Sequence, residues 1–275
     1  MRATMMEYPL TLAAILERAE RWFAQVELVE RGRRSSYGEL GRRARALAGA
    51  LLAAGLEPGD RVATLLWNQL PHLEALFAVP LAGGIVHPLN LRLHPRQLTA
   101  ILRAAGDRFA IVDESVLGLW RQLGCELPAE RVWVAPEGYE ARLGAAPAAT
   151  LPALAEADGA AMAFTSGTTG EPKGVVYSHR ALALHSLATA LPDALDYRQR
   201  DCVMALVPFY HANAWGAPYT ATLVGCKQVF VGARFDPESV LELLAGEQVT
   251  RSAGVPVIWQ GVIETMEREP GRWQL

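Results

Sequence analysis

Ten residues near the middle of the chain carry its densest chemistry. Thr165-Ser166-Gly167-Thr168-Thr169-Gly170-Glu171-Pro172-Lys173-Gly174 holds four hydroxyls, three glycines and one cation. Apolar, strand-like residues flank it, Ala161–Phe164 before and Val175–Tyr177 after. Glycines let the backbone bend so that successive N–H groups converge on an anion. The hydroxyls add donors, or oxygen ligands for a metal, and Lys173 adds charge. A polyphosphate needs this combination. The segment is not a Walker loop, in which Gly-Lys-Ser/Thr opens a helix. Here Pro172 precedes Lys173, Gly174 follows it, and a strand comes next. Of 26 basic residues only Lys173 and Lys227 are lysine, the rest being arginine. A compact ammonium fits between phosphates where a planar guanidinium fits poorly, so a lysine retained at this place is informative.

A second segment, Val207-Pro208-Phe209-Tyr210-His211-Ala212-Asn213-Ala214-Trp215-Gly216, follows the apolar strand Val203–Leu206. Pro208 ends that strand, and Asn213–Leu223 reads as a helix. A strand's C-terminal end leading into a helix is where open α/β sheets take ligands. His211 and Trp215, four apart, project the same way if the helix begins early. A lone histidine beside aromatics and a tryptophan at a helix start otherwise read as packing. His72, His87, His94 and His185 show no metal-ligand spacing and read as structural or solvent-facing. His179-Arg180 and Lys227 read as surface.

The elements that must position these residues alternate. Leu12–Phe23 is an amphipathic helix and Val26–Val29 a short strand. Ser36 and Glu39 have capping-box spacing and open a long helix to about Ala54, with an arginine face expected in solvent and Gly55 as its stop. Val62–Trp67, Ile85–His87, Phe109–Val112 and Val132–Val134 read as buried strands. Leu70–Leu81, Pro95–Ala105 and Glu114–Leu123 read as the helices between them. Tyr139–Asp158, rich in Ala, Pro and Gly, reads as a surface connection within one domain, with at most one helical turn. Ser178 caps a helix from about Arg180, Asp236 caps one reaching Ala245, and Val255–Glu267 is the last. Strands separated by helices of this length imply right-handed crossovers and an α/β fold of mainly parallel sheets flanked by helices.

Composition narrows the classes of function. The chain has 275 residues, 51% hydrophobic and 20% charged, with a formal charge of -3. It is long enough for a large core and too apolar for disorder. Without a block of like charge it gives no reason to expect nucleic acid or an anionic membrane. No apolar run is long enough to span a bilayer, and the N-terminus lacks a signal-peptide layout. Cys125, Cys202 and Cys226, few and widely spaced, suit reduced thiols in a cytoplasmic protein.

Phe164–Val175 resembles the phosphate-loop signature of the adenylate-forming acyl-CoA synthetases, which include luciferases and peptide-synthetase adenylation domains. Ser36–Asn68, Gly83–Arg92 and Val249–Pro256 also resemble that family, in particular its bacterial medium- and long-chain fatty-acyl members. The resemblance implies ATP-dependent activation of a carboxylic acid to an acyl adenylate, then thioester formation with coenzyme A. It implies ATP, Mg²⁺ and coenzyme A as cofactors and a medium- or long-chain fatty acid as substrate. It assigns Thr165, Ser166, Gly167, Thr168, Thr169, Gly170 and Lys173 to the phosphates, with Thr165 near the metal. His211, Ala212 and Trp215 fall beside the adenylate and the acyl entrance, and Lys173 and His211 take the catalytic roles.

Against the family pattern, the adenine-holding Tyr-Gly-x-Thr-Glu segment, the ribose-binding Asp and the mobile C-terminal domain with its Lys have no counterpart. Residues 1–275 are therefore expected to be an incomplete N-terminal large domain, inactive alone. A non-catalytic nucleotide-binding or dimerisation remnant is the alternative, and a homodimer stays open.

Overall fold

The computed structural model describes residues 4–5, 7–125, 127–147, 149–165 and 173–275. In chain order the strands are β1 (Glu27–Glu30), β2 (Arg33–Ser36), β3 (Arg61–Leu65), β4 (Ile85–Pro88), β5 (Asp107–Asp113), β6 (Val132–Ala135), β7 (Gly159–Thr165), β8 (Lys173–Ser178), β9 (Cys202–Ala205), β10 (Lys227–Phe230) and β11 (Arg251–Ala253). The helices are α1 (Leu12–Trp22), α2 (Tyr37–Ala53), α3 (Leu70–Leu81), α4 (Pro95–Ala105), α5 (Leu117–Gln122), α6 (Glu137–Gly144), α7 (His179–Thr189), α8 (Ala212–Trp215), α9 (Ala217–Val224), α10 (Pro237–Gly246) and α11 (Pro256–Arg268).

The strands form two sheets, in the orders β11-β9-β10-β1-β2 and β6-β5-β3-β4-β7-β8. All pairings are parallel except β1–β2 and β7–β8. The chain starts in the five-stranded sheet, builds the six-stranded one, and returns. Mainly parallel sheets require helices on both faces, and here one layer of helices serves both sheets. Helix α3 lies in that layer, and every residue from Leu70 to Leu81 is buried. A helix apolar on all sides must be enclosed. Helices α1 and α2 pack with it in the largest apolar cluster, together with Val62 and Val86 of one sheet and Leu28 and Phe230 of the other. Outside that layer, α4 and α5 cover the six-stranded sheet, and α10 and α11 the five-stranded one.

Caps form where residue types call for them. Ser36 Oγ accepts from the Glu39 amide, Ser178 Oγ from Ala181 and Asp236 Oδ1 from Ser239. Two strands were not anticipated from the sequence, and three expectations are corrected. Arg33–Ser36 is a strand, because the Arg31-Gly32 turn folds it antiparallel onto β1. Arg251–Ala253 adds an edge strand to β9. The start of Tyr139–Asp158 belongs to α6, which runs from Glu137 to Gly144 because Tyr139 and Leu143 bury against the core. The arginine face of α2 is not all solvated. Arg43 pairs with Glu74 at 2.7 Å and Glu140 at 2.6 Å, and the Tyr139 hydroxyl donates to Glu74 at 2.5 Å. This network makes a carboxylate tolerable inside the shared helical layer. His179 is fully buried rather than on the surface, its Nδ1 accepting from the Leu12 amide at 3.2 Å.

Candidate functional site

Strands β7 and β8 are the two arms of the hydroxyl-rich loop. Their register sets Met162 opposite Val176, Phe164 opposite Gly174 and Thr165 opposite Lys173. Thr165 Oγ1 reaches the Lys173 carbonyl at 3.5 Å. Ser166, Gly167, Thr168, Thr169 and Gly170 lie outside the described residues. Phe164 anchors the first arm: its ring lies 5.1 Å from the His87 ring. A Cβ on Gly174 would come within 3.0 Å of the Phe164 ring, so glycine is the residue that lets the arms approach here. Lys173 and Thr165 are both exposed. Among the described residues no carboxylate pairs with Lys173. Lys227, in contrast, is half-buried and held by Glu247 at 2.7 Å and Glu27 at 3.4 Å. One of the two lysines is thus engaged in structure, and the other stands at the loop.

The second segment is placed by Asn68, just beyond β3. Its Nδ2 donates to the carbonyls of Ala205 (3.1 Å) and Val207 (2.9 Å), and its Oδ1 accepts from the Phe209 amide (2.9 Å). Its own carbonyl accepts from Gly232 at 2.9 Å. One side chain of the six-stranded sheet therefore fixes the exit of β9 in the other. Phe209 is buried against His72 and Phe230. Tyr210 and His211 follow, with ring centroids 4.8 Å apart.

Beyond His211 the backbone departs from the expected helix. Ala212, Asn213, Ala214 and Trp215 have φ of 43°, 52°, 53° and 55°, a turn of left-handed helix, and the right-handed α9 starts only at Ala217. L-residues resist this by about 1–2 kcal/mol each, so packing must impose it. Asn213 and Ala214 are buried, at 1% exposure. His185 Nε2, on α7, lies 3.0 Å from the Trp215 carbonyl and donates to it. Gly216, at φ +70°, leaves the space that His185 fills, since a Cβ there would sit 2.5 Å from His185 Cδ2. The turn leaves Trp215 48% exposed. Backbone strain of this kind gathers at functional sites.

The turn packs against β7, the arm that leads to Thr165. It is tied by His185 to the helix that follows β8. The structure thereby brings Thr165, Lys173, His211, Ala212 and Trp215 to one side, near the C-terminal ends of β7 and β9. A cleft between the sheets opens beside them, lined by Trp67, Asn68, Arg92, Tyr210, Gly232 and Phe235. These residues follow β3, β4, β9 and β10, all at the strand ends where open α/β sheets take ligands. Arg92 lies 6.0 Å from the Phe235 ring centroid. Partial burial, and then the Arg92 charge, lower the His211 pKa. The imidazole is therefore neutral at pH 7 and acts there as a hydrogen-bonding group.

Sequence reasoning left Asn68, Arg92 and His185 out of the site. Asn68 and Arg92 carried one usable signal: each comes a few residues after a strand of a parallel sheet. His185 carried none, because its partner is a backbone carbonyl 30 residues away. Among the described residues no three His, Cys, Asp or Glu side chains could hold a metal. A divalent cation would rest on hydroxyl oxygens, of which Thr165 supplies one, and on oxygens of its ligand. That donor set suits Mg²⁺ and not zinc.

Fold and site together define an open α/β protein with a lysine and a threonine side by side at its strand ends. Residues 15–273 match the family described as AMP-binding enzyme, and the chain belongs to that family. It is 45% identical, over 96% of its length, to a long-chain-fatty-acid–CoA ligase of Thermus thermophilus, and 37% identical, again over 96%, to a medium-chain-fatty-acid–CoA ligase of Ectopseudomonas oleovorans. It covers 51% and 52% of those two proteins, about half the length of each. Among solved structures, ATP-bound MatB from Rhodopseudomonas palustris superposes with a TM-score of 0.78 at 27% identity, over 92% of this chain and 50% of that one.

Proposed function

We propose that this chain provides the phosphate-binding loop and the acyl entrance of an AMP-forming acid–CoA ligase acting on medium- or long-chain fatty acids. The observation that carries the reading is the pair of arms β7 and β8. They present Thr165 and Lys173 side by side, exposed, with no carboxylate of the described residues on the lysine. Membership of the AMP-binding family and the fatty-acid ligases among its relatives support it.

In the proposed reaction a fatty carboxylate attacks the α-phosphorus of ATP, and pyrophosphate leaves. Coenzyme A thiolate then attacks the acyl carbonyl, and AMP leaves. Negative charge builds on the phosphates in the first step. Lys173 and Thr165 meet that charge from fixed places on β8 and β7, which lowers the barrier. Mg²⁺, held with Thr165, would screen the same oxygens. His211, neutral at pH 7, donates a hydrogen bond beside the acyl carboxylate without adding a charge that would hold it back. Trp215, half-exposed, forms an apolar wall at the acyl entrance. Residues 1–275 form part of such a site in this proposal, and thioester formation draws on further residues of the kind found in the other half of the relatives. A cytoplasmic location belongs to the same proposal, alongside the finding that no helix among the described residues is long and apolar enough to cross a membrane.

The test is Lys173→Ala in a full-length ligase carrying these residues. ATP–pyrophosphate exchange should fall about a hundredfold or more, with the unfolding midpoint unchanged. Exchange at the original rate would remove the loop from the reaction.

A further inference from the structure

Behind the loop lies a buried pair that the proposed reaction does not use. His87, on β4, and Asp107, which opens β5, are each 1% exposed in their side chains. His87 Nδ1 lies 3.0 Å from both carboxylate oxygens of Asp107. The two strands are not neighbours: β3 runs between them and sets only Ala63 opposite His87. That small side chain leaves the imidazole room to reach across. The other ring nitrogen, Nε2, is buried with no partner among the described residues. For stability alone, a leucine or phenylalanine packed against Ile85 and Met162 would serve this site better than an ionisable pair. Burial raises the Asp107 pKa, and the His87 hydrogen bond opposes the rise. The pair therefore carries a cost that packing does not explain.

The face of the His87 ring supplies the explanation. It lies against Phe164 at 5.1 Å, with the rings inclined by 38°. The far edge of the Phe164 ring abuts Gly174, where a Cβ would be 3.0 Å away. Asp107, His87, Phe164 and Gly174 thus form a continuous stack, and its last two members are paired across the arms. The next rung is Thr165 opposite Lys173. Rotation or withdrawal of the His87 ring would free Phe164 and let the arms slide or part. Nδ1–H bonded to both Asp107 oxygens is what prevents that rotation.

We propose that His87, oriented by Asp107, is a positioning residue for the loop: it fixes the Phe164 ring and, through it, the alignment of Thr165 with Lys173. The proposal rests on the reading of 165–174 as a triphosphate grip, and its test separates the two.

The purified chain is titrated with inorganic tripolyphosphate and with Mg·ATP, and amide hydrogen exchange is followed along β3, β5, β7 and β8. His87→Leu should weaken tripolyphosphate binding about tenfold. It should speed exchange at Phe164 and Gly174 while β3 and β5 stay protected. Asp107→Ala should do the same, and Asp107→Asn, which still accepts the Nδ1–H bond, should restore both readouts. If His87→Leu does not fold, Phe164→Leu carries the same expectation. Lys173→Ala is the control for the underlying reading. Loss of binding in Lys173→Ala with wild-type binding in His87→Leu overturns the positioning role alone. Unchanged binding in Lys173→Ala, or no binding by the original chain, overturns the grip and the positioning role together. Faster exchange across the whole sheet in His87→Leu would show a general structural role and overturn the proposal.

Discussion

The left-handed turn at 212–215 gives the same substitution opposite signs at two places in the chain. Ala212 is exposed, with φ of 43°, and Ala104 is exposed within the right-handed α4. Replacing Ala104 by glycine removes a good helix former and should cost about 1 kcal/mol. Replacing Ala212 by glycine also loosens the unfolded chain, which costs about 0.4–1 kcal/mol. It relieves about 1–2 kcal/mol of left-handed strain in the folded state, however, because glycine has no Cβ to crowd the carbonyl. Since Ala212 is exposed, little apolar burial is lost. The net expectation is stabilisation by about 0.5–1 kcal/mol. For 275 residues the unfolding entropy makes 1 kcal/mol worth roughly 2 °C in Tm. Ala212→Gly should therefore melt about 1–2 °C above the original chain and Ala104→Gly about 2 °C below it. Urea unfolding at 25 °C, followed by circular dichroism, measures both against the same baseline. An Ala212→Gly protein destabilised as much as Ala104→Gly would refute the left-handed assignment and the strain argument with it.

Other expectations follow from single side chains. Asn68→Ala leaves the Ala205 and Val207 carbonyls and the Phe209 amide without their partner, which should cost roughly 3 kcal/mol in urea unfolding. An unchanged midpoint would show that Asn68 does not join the sheets. Burial holds His72 neutral, with its pKa lowered to about 4. Between pH 6.5 and about 4 the unfolded chain therefore binds a proton at this site that the folded chain refuses, so stability rises with pH across that window. His72→Gln, able to keep a bond to Thr64 or to the Trp67 carbonyl, should flatten that slope by at most about 1.4 kcal/mol per pH unit. An identical slope in both proteins would contradict the burial argument.

The site was legible where chemistry sits close together in the sequence. The arms Ala161–Phe164 and Val175–Tyr177 are short, apolar and bounded by glycine, and they form β7 and β8. Helix α3 was legible from Leu70–Leu81 because an unbroken apolar run states its own burial. Arg251–Ala253 was not, because three polar and small residues become a strand only when β9 lies beside them. Arg43 was misread as solvated because Glu74 and Glu140, which draw it inward, are 31 and 97 residues away.

By itself the sequence determined what short range can decide: the caps at Ser36, Ser178 and Asp236, the βα alternation, and a loop whose hydroxyls, glycines and lysine suit phosphate. Only the tertiary structure decided that β1 pairs with β10 some 200 residues later, that Asn68 bridges two sheets, and that Ala212–Trp215 wind left-handed. Strand neighbours are chosen by contacts between distant segments. A left-handed turn runs against the local preference of alanine and tryptophan, and four such residues in a row are disfavoured even with asparagine among them. It exists because the burial of Ala214 and the His185 bond to the Trp215 carbonyl hold the turn against its strain.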